Sequence, residues 1–252
     1  MRSVTGEAVA ARLRAAGCVA AEDEAEELVA ATADDAALED AVRRREAGEP
    51  IAWITGVATF AGQRMRVAPG VYPPRPQTEE LARRAAARLP ADGRALDLCT
   101  GCGAVAAHLA AQARDAFVVG VDVDPSAAAC ARANGVKAVV ADLAAAIGGD
   151  SAWDLVTAVA PYVPSAQLAL LPADVQRHEP RRALDGGPDG LDVVRRVVGA
   201  AARLLSPGGW LLVEIGGDQD ERLRPSLARA FVDVEVWTDE HGDCRGLAAR
   251  RA

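Results

Sequence analysis

The sequence predicts an α/β protein built on a doubly wound, mostly parallel sheet. Three observations carry that prediction. From Arg94 onward, short apolar runs alternate with amphipathic helical stretches, the order that lays helices over both faces of a parallel sheet. The first of those runs opens directly into a glycine-rich turn, Asp97-Leu-Cys-Thr-Gly-Cys-Gly103-Ala104, at the carboxyl end of a strand, where such sheets place their crevice. The front of the chain, up to Gly48, shows helical spacing alone.

Ser3 to Gly48 reads as three amphipathic helices. Val9 and Leu13, Leu28 and Val29, then Leu38 and Val42 supply the apolar positions, with turn signals at Gly17 and Thr32 to Asp35. Gly48, with Pro50 two residues later, stops the run. A unit this small holds little core, so it is expected to pack on the larger remainder of the chain. Between Ile51 and Tyr72 the period changes. Ile51, Trp53, Met65 and Val67 alternate with other residues, punctuated by Thr55-Gly56, Ala61-Gly62 and Pro69-Gly70, which predicts a hairpin or extended connector. After Pro73-Pro74-Arg75-Pro76 a helix opens at Thr78, whose hydroxyl is expected to cap it, with Glu79 and Glu80 complementing the dipole. The expected units are therefore 1–50, 51–75 and 76–252.

Within the last unit, strands are expected at Ala95 to Leu98, Phe117 to Val121, Val136 to Val140, Leu155 to Val159, Trp210 to Ile215 and Phe231 to Trp237. Helices are expected from the glycine turn to about Ala113, from Asp124-Pro125 to Gly135, and from Leu191 to Leu205.

Composition narrows the function classes without naming one. The chain of 252 residues carries 28 Lys+Arg against 36 Asp+Glu, a net charge of −8. That balance disfavours a phosphate backbone as principal partner, because non-specific nucleic-acid affinity comes from neutralising phosphates. No apolar run reaches the roughly eighteen residues of a membrane span, and MRSVTGEAVA has no apolar core of a secretory signal. The expectation is a soluble cytoplasmic protein. Lys137 is the only lysine; the arginine pairs are read as solvated faces produced by codon bias.

The glycine turn and the acids around it carry chemistry. Gly101 and Gly103 let the backbone approach a ligand and turn into a helix N-terminus. Asp122 ends the second strand, where a carboxylate can accept from both hydroxyls of a ribose. Asp142-Leu143 follows the third, placed to face an adenine. The turn is not the G-x-G-x-x-G of dinucleotide enzymes, and Asp97 precedes it. A pyrophosphate at this helix N-terminus would meet a repelling carboxylate; a cationic sulfonium would not. A nucleoside with a positive or zwitterionic tail fits, which is S-adenosylmethionine.

D-L-C-T-G-C-G-A and V-D-V-D-P resemble the first two motifs of class I methyltransferases. E-P-I-A-W-I-T-G (49–56), P-R-P-Q-T-E (74–79), E-P-R-R-A-L-D-G-G-P-D-G-L-D (179–192) and P-G-G-W-L-L-V-E-I-G (207–216) resemble the HemK/PrmC family over nearly the whole chain. The resemblance implies a seven-stranded Rossmann-like sheet, a substrate-contacting helical domain at the front, and methylation of a glutamine side-chain nitrogen in the Gly-Gly-Gln loop of peptide-chain release factors. It places the cofactor against Asp97, Thr100, Gly101, Cys102, Gly103, Ala104, Asp122, Asp142 and Leu143, and the acceptor against Arg75, Pro76, Thr78 and Tyr162. The family's catalytic Asn-Pro-Pro-Tyr stands here as Val159-Ala160-Pro161-Tyr162. In the family, the Asn and the following carbonyl receive the amide hydrogens; the carbonyl of Ala160 survives, but Val159 has no side-chain acceptor. A small-molecule N, O or C acceptor, a binding module without turnover and adenine-N6 methylation of DNA are the rival readings. The missing polar residue and the net charge oppose the last.

Other motifs have blander readings. Cys99 and Cys102 form a C-x-x-C whose glycine neighbours already explain the turn, so neither redox nor zinc chemistry is expected, and no metal is assigned. His178 could line a substrate mouth, Glu214 is expected to order a loop, and Pro161 to Gly190 is long enough to form a lid.

Overall fold

The computed structural model describes residues 5–148, 150 and 152–252, so the expected helical start at Ser3 lies outside the described residues. Three helices come first: α1 (Gly6–Ala15), α2 (Ala21–Ala31) and α3 (Asp35–Glu46). Thr5 and Asp34 cap α1 and α3 by accepting from the N–H of Ala8 and Ala37. Val9, Leu13, Leu28, Leu38 and Val42 close a core of their own.

Next comes α4 (Ile51–Thr55), which corrects the extended reading of this stretch. Pro50 precedes it and Gly56, at φ 76°, ends it in the left-handed region. The apparent alternation of Ile51 and Trp53 is a helix turning between two cores. Ile51 and Ile54 face the front helices, while Ala52 and Trp53 face the sheet side. The hairpin comes after it as β1 (Val57–Phe60) and β2 (Gln63–Arg66), joined by Ala61 and Gly62, both at positive φ.

The main body runs α5 (Thr78–Ala86), β3 (Arg94–Leu98), α6 (Ala104–Gln112), β4 (Phe117–Asp122), α7 (Pro125–Ala133), β5 (Lys137–Val140) and β6 (Trp153–Ala158). After a segment holding the short α8 (Ala173–His178) come α9 (Asp192–Leu204), β7 (Leu205–Glu214), α10 (Gln219–Leu227), β8 (Phe231–Thr238) and β9 (Cys244–Arg251). The seven-stranded sheet has the order β5-β4-β3-β6-β7-β9-β8, parallel except for β9, which is antiparallel to both neighbours.

Alternation along each strand splits the core in two. Ala95, Leu155, Leu212 and Ala248 face α5, α6, α7 and the hairpin. Leu96, Leu98, Val156, Val213 and Leu247 face α9 and α10. Strand order reverses between β3 and β6, so their carboxyl ends diverge and open a crevice there. Among the described residues, no helix is long and apolar enough to cross a membrane.

Candidate active site

The crevice is a cleft across the ends of β3, β4, β5 and β6, closed on its far side by the connector after β2 and by the segment around Pro180. Its floor is the glycine turn. Gly101, at φ 57°, has only the carbonyl oxygen of Tyr72 within 4.0 Å of where a Cβ would stand, so its backbone is open to a ligand. Gly103 also has positive φ, at 85°, but a Cβ there would lie 3.0 Å from Ala131 and Val136. Its space is taken by Ala131 of α7 and by Val136 just ahead of β5, so Gly103 serves packing and does not line the cleft.

Asp97 stands beneath this turn, 2% exposed. Its carboxylate accepts from the hydroxyls of Thr100 at 2.6 Å and Thr157 at 2.7 Å. Burial pushes its pKa up to about 6, against the opposing pull of those two donors. The Thr100 side chain reaches Asp97 because Gly120 on β4 has no Cβ; one there would sit 2.7 Å from the Thr100 hydroxyl. Sequence alone does not single out Thr157 or Gly120, since the partner of each lies on a different strand or turn, 60 residues away for Thr157.

Asp122 lies at the end of β4 and takes the N–H of Gly101 at 2.8 Å and of Asp124 at 2.9 Å. Burial raises its pKa. Asp142 and Leu143 line the far end of the cleft, where Asp142 pairs with Arg196 at 2.7 Å. Cys99 and Cys102 also line it, but burial holds both thiols well above neutral, Cys102 up to about 12. A thiolate nucleophile is therefore not available for disulfide exchange.

At the other end stand Val159 and Pro161, with Tyr72, Arg75 and Thr78 opposite. Ala160, Tyr162 and Pro76 are not on the cleft wall. Tyr162 instead donates its hydroxyl proton to Glu214 at 2.9 Å, and Thr78 donates to the other oxygen of Glu214 at 2.6 Å. This corrects the expected cap, because no described side chain caps α5 and the Thr78 hydroxyl is committed to the end of β7. Glu214 thus ties the start of α5 to the turn after β6, the ordering role expected of it.

The backbone of that turn is held just as tightly. Gln219 donates to the carbonyl of Tyr162 at 2.7 Å, and a Cβ on Gly190 or Gly186 would fall 2.2 Å from Tyr162 O or 2.7 Å from Pro161 O. The glycines of the 179–192 motif exist to let that loop wrap this turn. Arg75 pairs with Glu179, whose side chain is 2% exposed, and stacks 4.9 Å over the ring of Tyr72. His178 does not reach the cleft; its ring, like Arg177, bonds the carbonyl of Ala47 after α3.

A parallel sheet of this order, with acidic strand ends around a glycine turn at its switch point, is the architecture of Rossmann-like methyltransferases. Residues 95–178 match the family described as "Methyltransferase domain". The 16S rRNA methyltransferase RsmC of T. thermophilus, solved in complex with AdoMet and guanosine, shares this fold. It superposes with a TM-score of 0.54 at 22% identity, covering 77% of this chain but only 44% of RsmC. A release factor glutamine methyltransferase of Geobacter sulfurreducens is 39% identical over 221 residues, spanning 85% of this chain and 78% of the relative. Another, of Moorella thermoacetica, is 40% identical over 223 residues, spanning 84% and 78%. The chain belongs to the release factor glutamine methyltransferase family.

Proposed function

We propose that the chain is an S-adenosylmethionine-dependent methyltransferase whose acceptor is the side-chain amide of a protein glutamine, of the release-factor Gly-Gly-Gln type. The carrying observation is the cleft itself: an open glycine turn with Asp97, Asp122 and Asp142 along one end and Val159 and Pro161 at the other. The donor set fits the cofactor. Asp122 stands where ribose hydroxyls would find an acceptor, and the acids suit a cationic sulfonium rather than a phosphate. When bound, the cofactor supplies an electrophilic methyl group.

The chain's own residues bind and orient. Thr100, Gly101, Cys102, Ala104 and Asp122 would form the cofactor wall. Glu214 and Gln219 fix the turn that would hold the acceptor, and alignment matters more than proton chemistry in an in-line displacement. Val159 weakens the amide reading without removing it. An unpaired amide donor in a closed site costs roughly 1–3 kcal/mol, about a 5- to 150-fold loss.

The unit over residues 1–50 would dock the acceptor protein. Arg177 and His178 link it to the segment that walls the cleft. Five cysteines without a disulfide agree with a cytoplasmic setting. Two experiments test the reading. Calorimetry should give one site for S-adenosylmethionine, and mass spectrometry of release factor incubated with the protein should show one added methyl on the Gly-Gly-Gln glutamine. Absence of any cofactor binding would refute it.

A further inference from the structure

We propose that Asn134 is a positioning residue for the cofactor end of the cleft, and that its side-chain amide fixes the glycine turn by bracing it against the β1–β2 hairpin. The inference rests on the cofactor reading above and goes beyond it, because Asn134 is not on the cleft wall.

The glycine turn does not hold its own shape. Gly101 and Gly103, at φ 57° and 85°, flank Cys102, and glycine passes between backbone regions at little steric cost. The peptide joining Cys102 to Gly103 is the part that can rotate. Its N–H end is held within the turn, donating to the carbonyl of Thr100 at 2.8 Å. Its carbonyl end has no partner in α6. That helix takes Gly103 as its N-cap, and the carbonyl of Gly103 accepts the first helical N–H, from Ala107. The N–H of Ala106 goes to Asp97 instead. Cys102 is 2% exposed, so its carbonyl needs a donor from elsewhere in the chain.

Asn134 supplies that donor. It ends α7, with its own N–H on the carbonyls of Cys130 and Ala131 at 3.1 Å. Its Nδ2 donates to the carbonyl of Cys102 at 2.9 Å. The same nitrogen donates to the carbonyl of Arg66 at 2.9 Å, while Oδ1 accepts the N–H of Arg66 at 2.8 Å. Arg66 is the last residue of β2 and faces Val57 across the hairpin. Alternate positions of an antiparallel pair turn both backbone groups outward, and Asn134 meets those of Arg66 as a further strand would. Turned over, the amide would set its oxygen against two carbonyl oxygens, so the network allows one orientation.

One side chain therefore spans 68 residues to the hairpin and 32 to the turn, and it directs the Cys102 carbonyl away from the ligand. Without it the 102–103 peptide is free to rotate, and the turn has to be ordered as the cofactor binds. Ordering the backbone of one residue corresponds to about a 5- to 30-fold loss of affinity.

The test uses the full native chain, Asn134→Ala and Asn134→Asp. It measures S-adenosylhomocysteine binding by calorimetry and hydrogen exchange of residues 100–104 by mass spectrometry. Asn134→Ala removes all three side-chain bonds. Asn134→Asp keeps the acceptor for Arg66 but loses the Nδ2 donors, which isolates the contact with the turn and covers the case in which Asn134→Ala does not fold. We expect affinity to fall about 5- to 30-fold in both, with faster exchange at the turn of the ligand-free chain. Protonation returns an O–H donor to Asn134→Asp, so its deficit should shrink as pH falls from about 8 to about 5, while that of Asn134→Ala stays level. Affinity within about twofold of native, with unchanged exchange at the turn in a folded variant, would leave Asn134 a packing role alone and overturns the proposal. A native chain that does not bind S-adenosylhomocysteine refutes the cofactor reading instead, and exchange at the turn then still decides whether Asn134 holds it.

Discussion

The two ends of the cleft are built to different standards. Around the glycine turn every carboxylate has its partners: Asp97 has two hydroxyls, Asp122 two backbone N–H groups, and Asp142 an arginine. Around Val159 the backbone is clamped equally hard, by Gln219, Glu214 and the 186–190 glycines, yet the side chain that would meet an acceptor is a hydrocarbon. The contrast separates two requirements. Holding the acceptor turn in place needs polar groups behind it, and these are intact. Choosing an acceptor atom needs polar groups in front of it, and the side chain of Val159 supplies none.

Breaking the cofactor end should have the largest effect. Asp97→Ala leaves two buried hydroxyls without their acceptor at about 1–3 kcal/mol each. S-adenosylmethionine binding measured by calorimetry is expected to weaken by roughly 30-fold or more.

The pH response of the same residue comes next. Burial raises the Asp97 carboxyl from 3.8 to about 6, so the folded chain holds that proton more tightly than the unfolded chain. The stabilisation is complete below pH 3.8 and is lost as pH climbs through about 6, amounting to about 3 kcal/mol. Denaturant unfolding across that window should show the loss, and Asp97→Asn should flatten it. Over the same window binding of the sulfonium cofactor should strengthen relative to S-adenosylhomocysteine, whose sulfur is neutral, because the ionised carboxylate favours the added cation.

Gly120→Ala tests the packing that lets Thr100 reach Asp97. Its Cβ would lie 2.7 Å from the Thr100 hydroxyl, and overpacking of this kind should lower Tm by roughly 2–10 °C in a thermal melt. The smallest effect belongs to the mouth of the cleft. Arg182 and Asp124 pair at 3.7 Å with Arg182 mostly exposed, so Arg182→Ala should change stability or cofactor affinity by less than about 1 kcal/mol.

The cofactor end is the more legible in the sequence because its logic is local. Asp97, the glycine turn and Asp122 fall within one strand–helix–strand unit, and spacing alone places them together. The supports of the acceptor end come from afar: Glu179 meets Arg75 across 104 residues, Gln219 meets Tyr162 across 57, and Glu214 meets Thr78 across 136. Nothing in the local pattern marks such a partner. Among the elements, β9 is silent in the sequence because Cys-Arg-Gly-Leu-Ala-Ala-Arg-Arg contains no β-branched or aromatic residue to signal a strand. The helix at Ile51 mimics an extended segment because its apolar residues divide between two cores.

The most direct test compares the native chain with Val159→Asn, measuring S-adenosylmethionine affinity and turnover of a Gly-Gly-Gln peptide on both. If the cofactor end is complete and only the acceptor end has changed, affinity for S-adenosylmethionine stays the same and amide methylation rises about 5- to 150-fold. A native chain that does not bind the cofactor, or a variant whose amide turnover does not rise while its affinity is unchanged, would contradict that division.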